Sequence, residues 1–188
     1  MLKIKDRVAL GVLAGLGGNL VKTAIDELSY QMRISQRSFR ETASGVWVSK
    51  RQSRSVKGQI LGGLLDFGMG AVGGIGTVTL LSKTGRDKLL VKGLVSGVAM
   101  GSTVTALASA FPQNRVRPKD AASNLSYMVS HAIYGVVTTY VAAKLGDPSV
   151  FNIESAPKGN TRLSNGHDDK RKMESGNPRL RQAVNALN

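Results

Sequence analysis

The sequence predicts an all-α fold: a multi-span transmembrane helical bundle, four spans in all, with glycine-zipper packing and a disordered C-terminal tail. Three observations predict it. Long stretches of the 188-residue chain are almost free of charge, although 26 Lys and Arg stand against 12 Asp and Glu overall. Glycine contributes 22 residues and recurs at four-residue spacing inside those stretches. All but three glycines lie in residues 1–146, whereas residues 147–188 hold seven Lys and Arg, five acidic residues and three of the five prolines. The mean hydropathy of -0.07 averages these two materials. The expected division is therefore a transmembrane helical domain, 1–146, and a polar tail, 147–188.

Each element follows from the charge map. Val8 to Leu28 is apolar at first, with Gly11 and Gly15 on one helix face, and is interrupted later by Asn19, Lys22, Asp26 and Glu27. About 20 apolar residues at 1.5 Å rise cross a hydrocarbon core of roughly 30 Å. This first stretch meets that length only if Lys22 is held near an end or inside a bundle; three spans is the alternative. Residues 29–57 are basic, with seven Lys and Arg against Glu41 alone. Gly58 to Ser82 is uncharged except at Asp66, and carries the pairs Gly58/Gly62 and Gly70/Gly74. A short turn with Lys83, Arg86, Lys88 and Lys92 leads to Gly93–Phe111, where 19 residues carry no charge. After PQNRVRPKD, Ala121 to Leu145 is uncharged up to Lys144 and contains His131.

A helix apolar on every side belongs in the middle of a large protein or in lipid. A chain of 188 residues has too little polypeptide to bury several such helices, so lipid is the expected surrounding. A soluble α/β domain would need a strand–helix rhythm, and VGGIGTVTLL stands in none. No small-residue cleavage site follows the first stretch, as a signal peptide would require. In lipid, helices associate through close backbone approach, and small faces permit it. Gly93, Gly97 and Gly101 line two turns of one face, and Gly70 and Gly74 one turn of another.

Polar residues inside the stretches are the candidate intramembrane site. Lys22 and Asp26 are four apart and share a helix face, where each lowers the cost of holding the other near lipid. An interfacial pair with Lys22 snorkelling outward is the structural reading of these two. Asp66 lies about 12 Å into its stretch, a depth at which carboxylates face a bundle interior or a cavity. Its expected partners are His131 or Lys22. Tyr127, His131, Tyr134 and Thr138 fall on one helical stripe. A histidine there either exchanges a proton near neutral pH or donates to a carbonyl of a neighbouring helix.

The basic segment interleaves Arg37, Arg40, Lys50, Arg51, Arg54 and Lys57 with Trp47. Flanked by spans, it is expected to meet anionic lipid headgroups rather than nucleic acid, with Trp47 as an interfacial anchor. No nucleophile elbow, phosphate loop, zinc-helix motif or paired carboxylates occur in the apolar segments, so no enzyme activity and no cofactor are expected. With two histidines and no cysteine, no metal site is expected either. Low apolar content makes the tail a candidate for disorder.

The run AGLGGNLVKTAIDE with Lys22, together with the late SHAIYG containing His131 and Tyr134, resembles the YagU-like group of small bacterial inner-membrane proteins. That resemblance implies a multi-pass protein of the bacterial inner (plasma) membrane and supplies no catalytic roles. Two functions are open. One is a structural or regulatory membrane protein that presents basic loops to lipid headgroups or to a protein partner, alone or as a homo-oligomer. The other is a proton-linked or solute-permeating protein that uses Asp66 and His131. Charge counting leaves the orientation open.

Overall fold

The computed structural model describes residues 3–111, 116 and 118–151. Four long helices dominate: α1 (Arg7–Gln31), α4 (Val56–Thr84), α5 (Leu89–Ala110) and α6 (Ala121–Leu145), with two short ones, α2 (Phe39–Ser44) and α3 (Lys50–Ser53), between α1 and α4. The starts of α1, α4 and α6 are set by polar side chains that satisfy free N–H groups. Asp6 accepts from the Ala9 N–H at 2.6 Å, Ser55 from Gly58 at 3.2 Å and Asp120 from Ser123 at 2.8 Å. Helix α4 ends at Gly85, whose φ of 80° lies in the left-handed region where a side chain would be strained. The tail expected to be disordered lies outside the described residues from 152 onward.

The long helices carry many apolar side chains outward, and much of what they bury is polar or small. On α1 the exposed side chains include Leu13, Leu20 and Leu28, while Gly11, Gly15, Asn19, Lys22 and Asp26 are buried. On α4, Ile60, Leu64 and Val72 are exposed, and Gly62, Asp66, Gly70 and Thr77 are buried. Helix α6 repeats the inversion, with Leu125, Val129 and Tyr140 outward and Ser130, His131 and Thr138 inward. In water such a surface would aggregate; next to lipid it costs nothing. Helices α1, α4 and α5 are each long and apolar enough to cross a membrane. The chain is thus an all-α helical bundle with three such helices.

Packing follows the small residues. Helix α1 lies against α4 and α6, α5 lies against α6, and α4 and α5 scarcely meet. A Cβ on Gly74 would come within 2.6 Å of Gly15 Cα, and one on Gly70 within 2.9 Å of the Asn19 side chain. The buried residues of α5 are Gly93, Gly97 and Gly101. A Cβ on Gly97 would collide with the His131 carbonyl, and one on Gly93 would reach Val136 Cα at 2.7 Å. Gly58 and Gly62 differ from Gly70 and Gly74: they face the backbone of α3 at Gln52 and Ser53 and of α2 at Arg40.

The two ends of the bundle are built of different material. At the terminal end, Leu10, Ala14, Val78, Leu81 and Ala142 form an apolar core closed by Val150 and Phe151. These last two lie in a short 3-10 turn, Pro148–Phe151. Ile4 pairs with Gly146, donating to the Leu145 carbonyl at 3.0 Å and accepting from Asp147 at 2.9 Å. The opposite end, beneath α2, is polar.

Candidate functional site

Lys22 sits nine residues before the end of α1, and Asp66 ten residues after the start of α4. At 1.5 Å per residue both lie about 14 Å from the same end of the bundle. They meet there. The Lys22 ammonium lies 2.9 Å from both Asp66 oxygens and 2.9 Å from Asp26 Oδ2. Asn19 donates to Asp66 at 3.2 Å and the Thr23 hydroxyl at 3.3 Å. Lys22 is only 1 % exposed, Asp26 3 % and Asp66 4 %. The side chain therefore turns into the bundle and does not snorkel. One positive and two negative groups leave the cluster formally at −1, and Asp26 Oδ1 is buried with no hydrogen-bond partner.

Helix α2 closes the cluster from the loop side. Lys22 Nζ stands 4.4 Å from the centre of the Phe39 ring, a cation–π contact. The same ring meets Tyr127 and His131 edge-on, with centroids at 5.2 and 5.1 Å. In the sequence Phe39 reads only as an aromatic interleaved, like Trp47, with the basic residues; its burial depends on three partners distant in the chain. Glu41, also on α2, is 4 % exposed and takes two arginines, Arg37 and Arg54, the latter at 3.0 Å. Arg40 pairs with Glu27 of α1 at 2.7 Å. Three of the basic residues of this segment thus fasten it to the bundle and to itself. Lys50, Arg51 and Lys57 are exposed and form no ion pair among the described residues, and Trp47 is 71 % exposed.

The aromatic stripe of α6 faces inward. His131 uses Nδ1 to reach the Tyr127 carbonyl of its own helix at 2.7 Å, rather than a carbonyl of a neighbouring helix. Nδ1 must then carry the proton, which leaves Nε2 as the free acceptor of the neutral ring. Tyr127 donates to the Arg37 carbonyl at 2.8 Å, so it anchors the α1–α2 connection. Tyr134 donates to the Gly70 carbonyl of α4 at 2.6 Å. His131 and Asp66 are brought to the same cavity, but the hydrogen bonds of Asp66 come from Lys22, Asn19 and Thr23.

That cavity, of about 230 Å³, lies between α2, α4, α5 and α6. Its walls are Leu65 and Met69 of α4 and Met100, Val104 and Leu107 of α5, with Trp47 and Phe111 in the lining. Lys22, Asp66, His131 and Tyr134 form its polar end. It lies where α5, packed chiefly on α6, makes few contacts with α4. Among the described residues no three His, Asp or Glu side chains gather in a way that could hold a metal ion.

Helices with inverted polarity, a buried Lys–Asp cluster at mid-depth and apolar outer faces define a small multi-helical membrane-associated protein with buried salt bridges. No family model, no curated protein and no solved structure matches this chain.

Proposed function

We propose that the chain is a four-span protein of the bacterial inner membrane, glycine-zipped between α1 and α4 and between α5 and α6, with a structural or regulatory role. It holds the basic α2–α3 segment at the membrane surface, where anionic headgroups or a partner protein meet it. One observation carries this reading: Lys22 and Asp66 are satisfied by each other and by Asn19 and Thr23. A charge cluster so engaged acts as a pin. It ties α1 to α4 and seats Phe39 of α2, and with it the segment that bears the basic side chains. Intramembrane charges that serve transport more often line a hydrated path.

A second reading rests on Asp26 Oδ1, which is buried and unpartnered beside Lys22. His131 Nε2 is a second open acceptor, at the cavity that Asp66 also lines. Proton-linked permeation would use Asp66 and His131, with Asp26 beside Lys22.

Proteoliposomes separate the two. The intact protein should conduct no protons, and single cysteines in place of Lys5, Lys50, Asp87 and Lys119 should label on alternate sides of the membrane. A proton flux lost in both Asp66→Asn and His131→Ala, with the protein still inserted, would replace the structural reading by the second one. Labels at positions 5 and 50 on the same side would remove the first span.

A further inference from the structure

The cavity between α2, α4, α5 and α6 has apolar walls and a polar deep end. We infer that it takes one acyl chain of an anionic phospholipid whose headgroup rests on Lys50, Arg51 and Lys57. The inference deepens the proposed function, because it names the headgroup-bearing ligand that the basic segment meets, and it rests on the membrane-spanning reading.

Three features argue for this occupant. The first is depth and shape. On α5 the wall runs from Met100 to Phe111, which at 1.5 Å per residue is about 16 Å of groove along a membrane helix. It ends near mid-membrane at one end and at the loops at the other, as an acyl chain does. The second is the chemistry of the lining. The polar groups at the deep end are already hydrogen-bonded, Tyr134 to Gly70 and Asp66 to Lys22 and Asn19. Apart from His131 Nε2 they offer little to a polar ligand, and the rest of the wall is made of apolar side chains. Hydrocarbon fits it, and the gap between α4 and α5 opens it to the bilayer.

The third is charge. Of the cations in the segment, Arg37 and Arg54 share Glu41 and Arg40 pairs with Glu27, whereas Lys50, Arg51 and Lys57 are exposed and unpaired among the described residues. Lys50 follows Trp47, which belongs to the lining, by three residues, at most about 11 Å of chain. A headgroup phosphate above the cavity is therefore within reach of these side chains. Each cation near a membrane surface is worth about a fivefold preference for an anionic lipid.

Trp47 is the single tryptophan of the chain and reports on the site directly. The full-length protein is reconstituted in phosphatidylcholine vesicles with increasing fractions of phosphatidylglycerol brominated on its acyl chains, or of brominated phosphatidylcholine. Phosphatidylglycerol should quench Trp47 saturably, with at least tenfold preference over phosphatidylcholine. Lys50→Gln with Arg51→Gln and Lys57→Gln, all at exposed positions, should bring that preference close to one. Ala108→Phe, which fills the groove, should abolish the saturable phase, and native mass spectra should lose the one phosphatidylglycerol retained per intact chain. Equal quenching by the two lipids, or quenching that rises linearly with lipid fraction, would overturn the site. So would a saturable phase that survives Ala108→Phe, or a co-purified polypeptide that shields Trp47 from every brominated lipid. A protein extracted by alkali fails the membrane-spanning reading instead. An inserted protein without saturable quenching fails the lipid site alone.

Discussion

Lys22 shows how a single side chain sets the logic of the bundle core. It is shared by Asp26 on its own helix and Asp66 on the next one, so the two carboxylates do not contribute equally. Removing Lys22 leaves two buried negative charges with no counter-ion, and breaking a buried pair in this way costs about 3–5 kcal/mol. Removing the charge of Asp26 instead leaves Lys22 and Asp66 as a neutral pair, and relieves a carboxylate oxygen that has no partner. Lys22→Met should therefore lower the thermal unfolding midpoint in detergent far more than Asp26→Asn. An Asp26→Asn loss as large as that of Lys22→Met would mean that the cluster is not organised around the lysine. The pairing of Lys22 with Asp26 is legible from their four-residue spacing. The choice of Asp66's partner, Lys22 or His131, is not, because it depends on which faces of α1, α4 and α6 meet.

At the scale of one helix, α5 makes the sharpest prediction, because its buried residues are glycines. Leu at position 97 would drive a side chain into the backbone of α6 at His131 and Ala132, and the helices would have to separate. Leu at Val98, which is 41 % exposed, adds one methylene on the outer face. Gly97→Leu should destabilise the protein by several kcal/mol and Val98→Leu by less than about 1 kcal/mol. Equal effects in a detergent melt would dismiss glycine packing between α5 and α6. Helix α6 carries a pH-dependent start. The Ser123 N–H holds the Asp120 carboxyl below its ordinary value of 3.8, partly opposed by burial. A carboxyl with a lowered folded value contributes stability that is complete above the unfolded value and lost as the pH falls through the folded one. Unfolding midpoints should therefore drop between pH 5 and pH 3 by more in the native chain than in Asp120→Asn, in which that acid-labile contribution is absent.

For the whole molecule, the difference between the two ends is decisive. The terminal end is an ordinary apolar core, and Phe151 and Val150 close it although they follow α6 and the turn at Gly146–Asp147. Losing a buried Phe costs about 3–5 kcal/mol, so chains ending after Asp147 and after Ile153 should differ in melting temperature. The longer one should hold the stability of the full chain; equal midpoints for the two truncations would show that the turn is dispensable. At the other end the core is a salt-bridged cluster capped by α2, where only charge pairing and one aromatic ring exclude water. Function is expected at that end, since it combines the cavity, the basic side chains and Trp47.

An all-α bundle with long apolar helices was legible from residue spacing alone. An apolar run of membrane length, glycines four apart, and Tyr127, His131 and Tyr134 at helical intervals are local properties that covalent geometry converts into faces. Composition likewise placed polar residues inside and apolar ones outside, once lipid was taken as the solvent. Only the tertiary structure decided that Lys22 turns inward, that Asp66 is its partner, and that the basic segment is half fastened into the bundle through Phe39, Glu41 and Arg54. Residues 37–54 are short, polar and without a clear period, so nothing local predicts their burial. Phe39, Glu41, Thr42 and Ser44 are buried because α1, α4 and α6 present a cation, a glycine groove and two rings at one place, and that place exists only after the helices have packed.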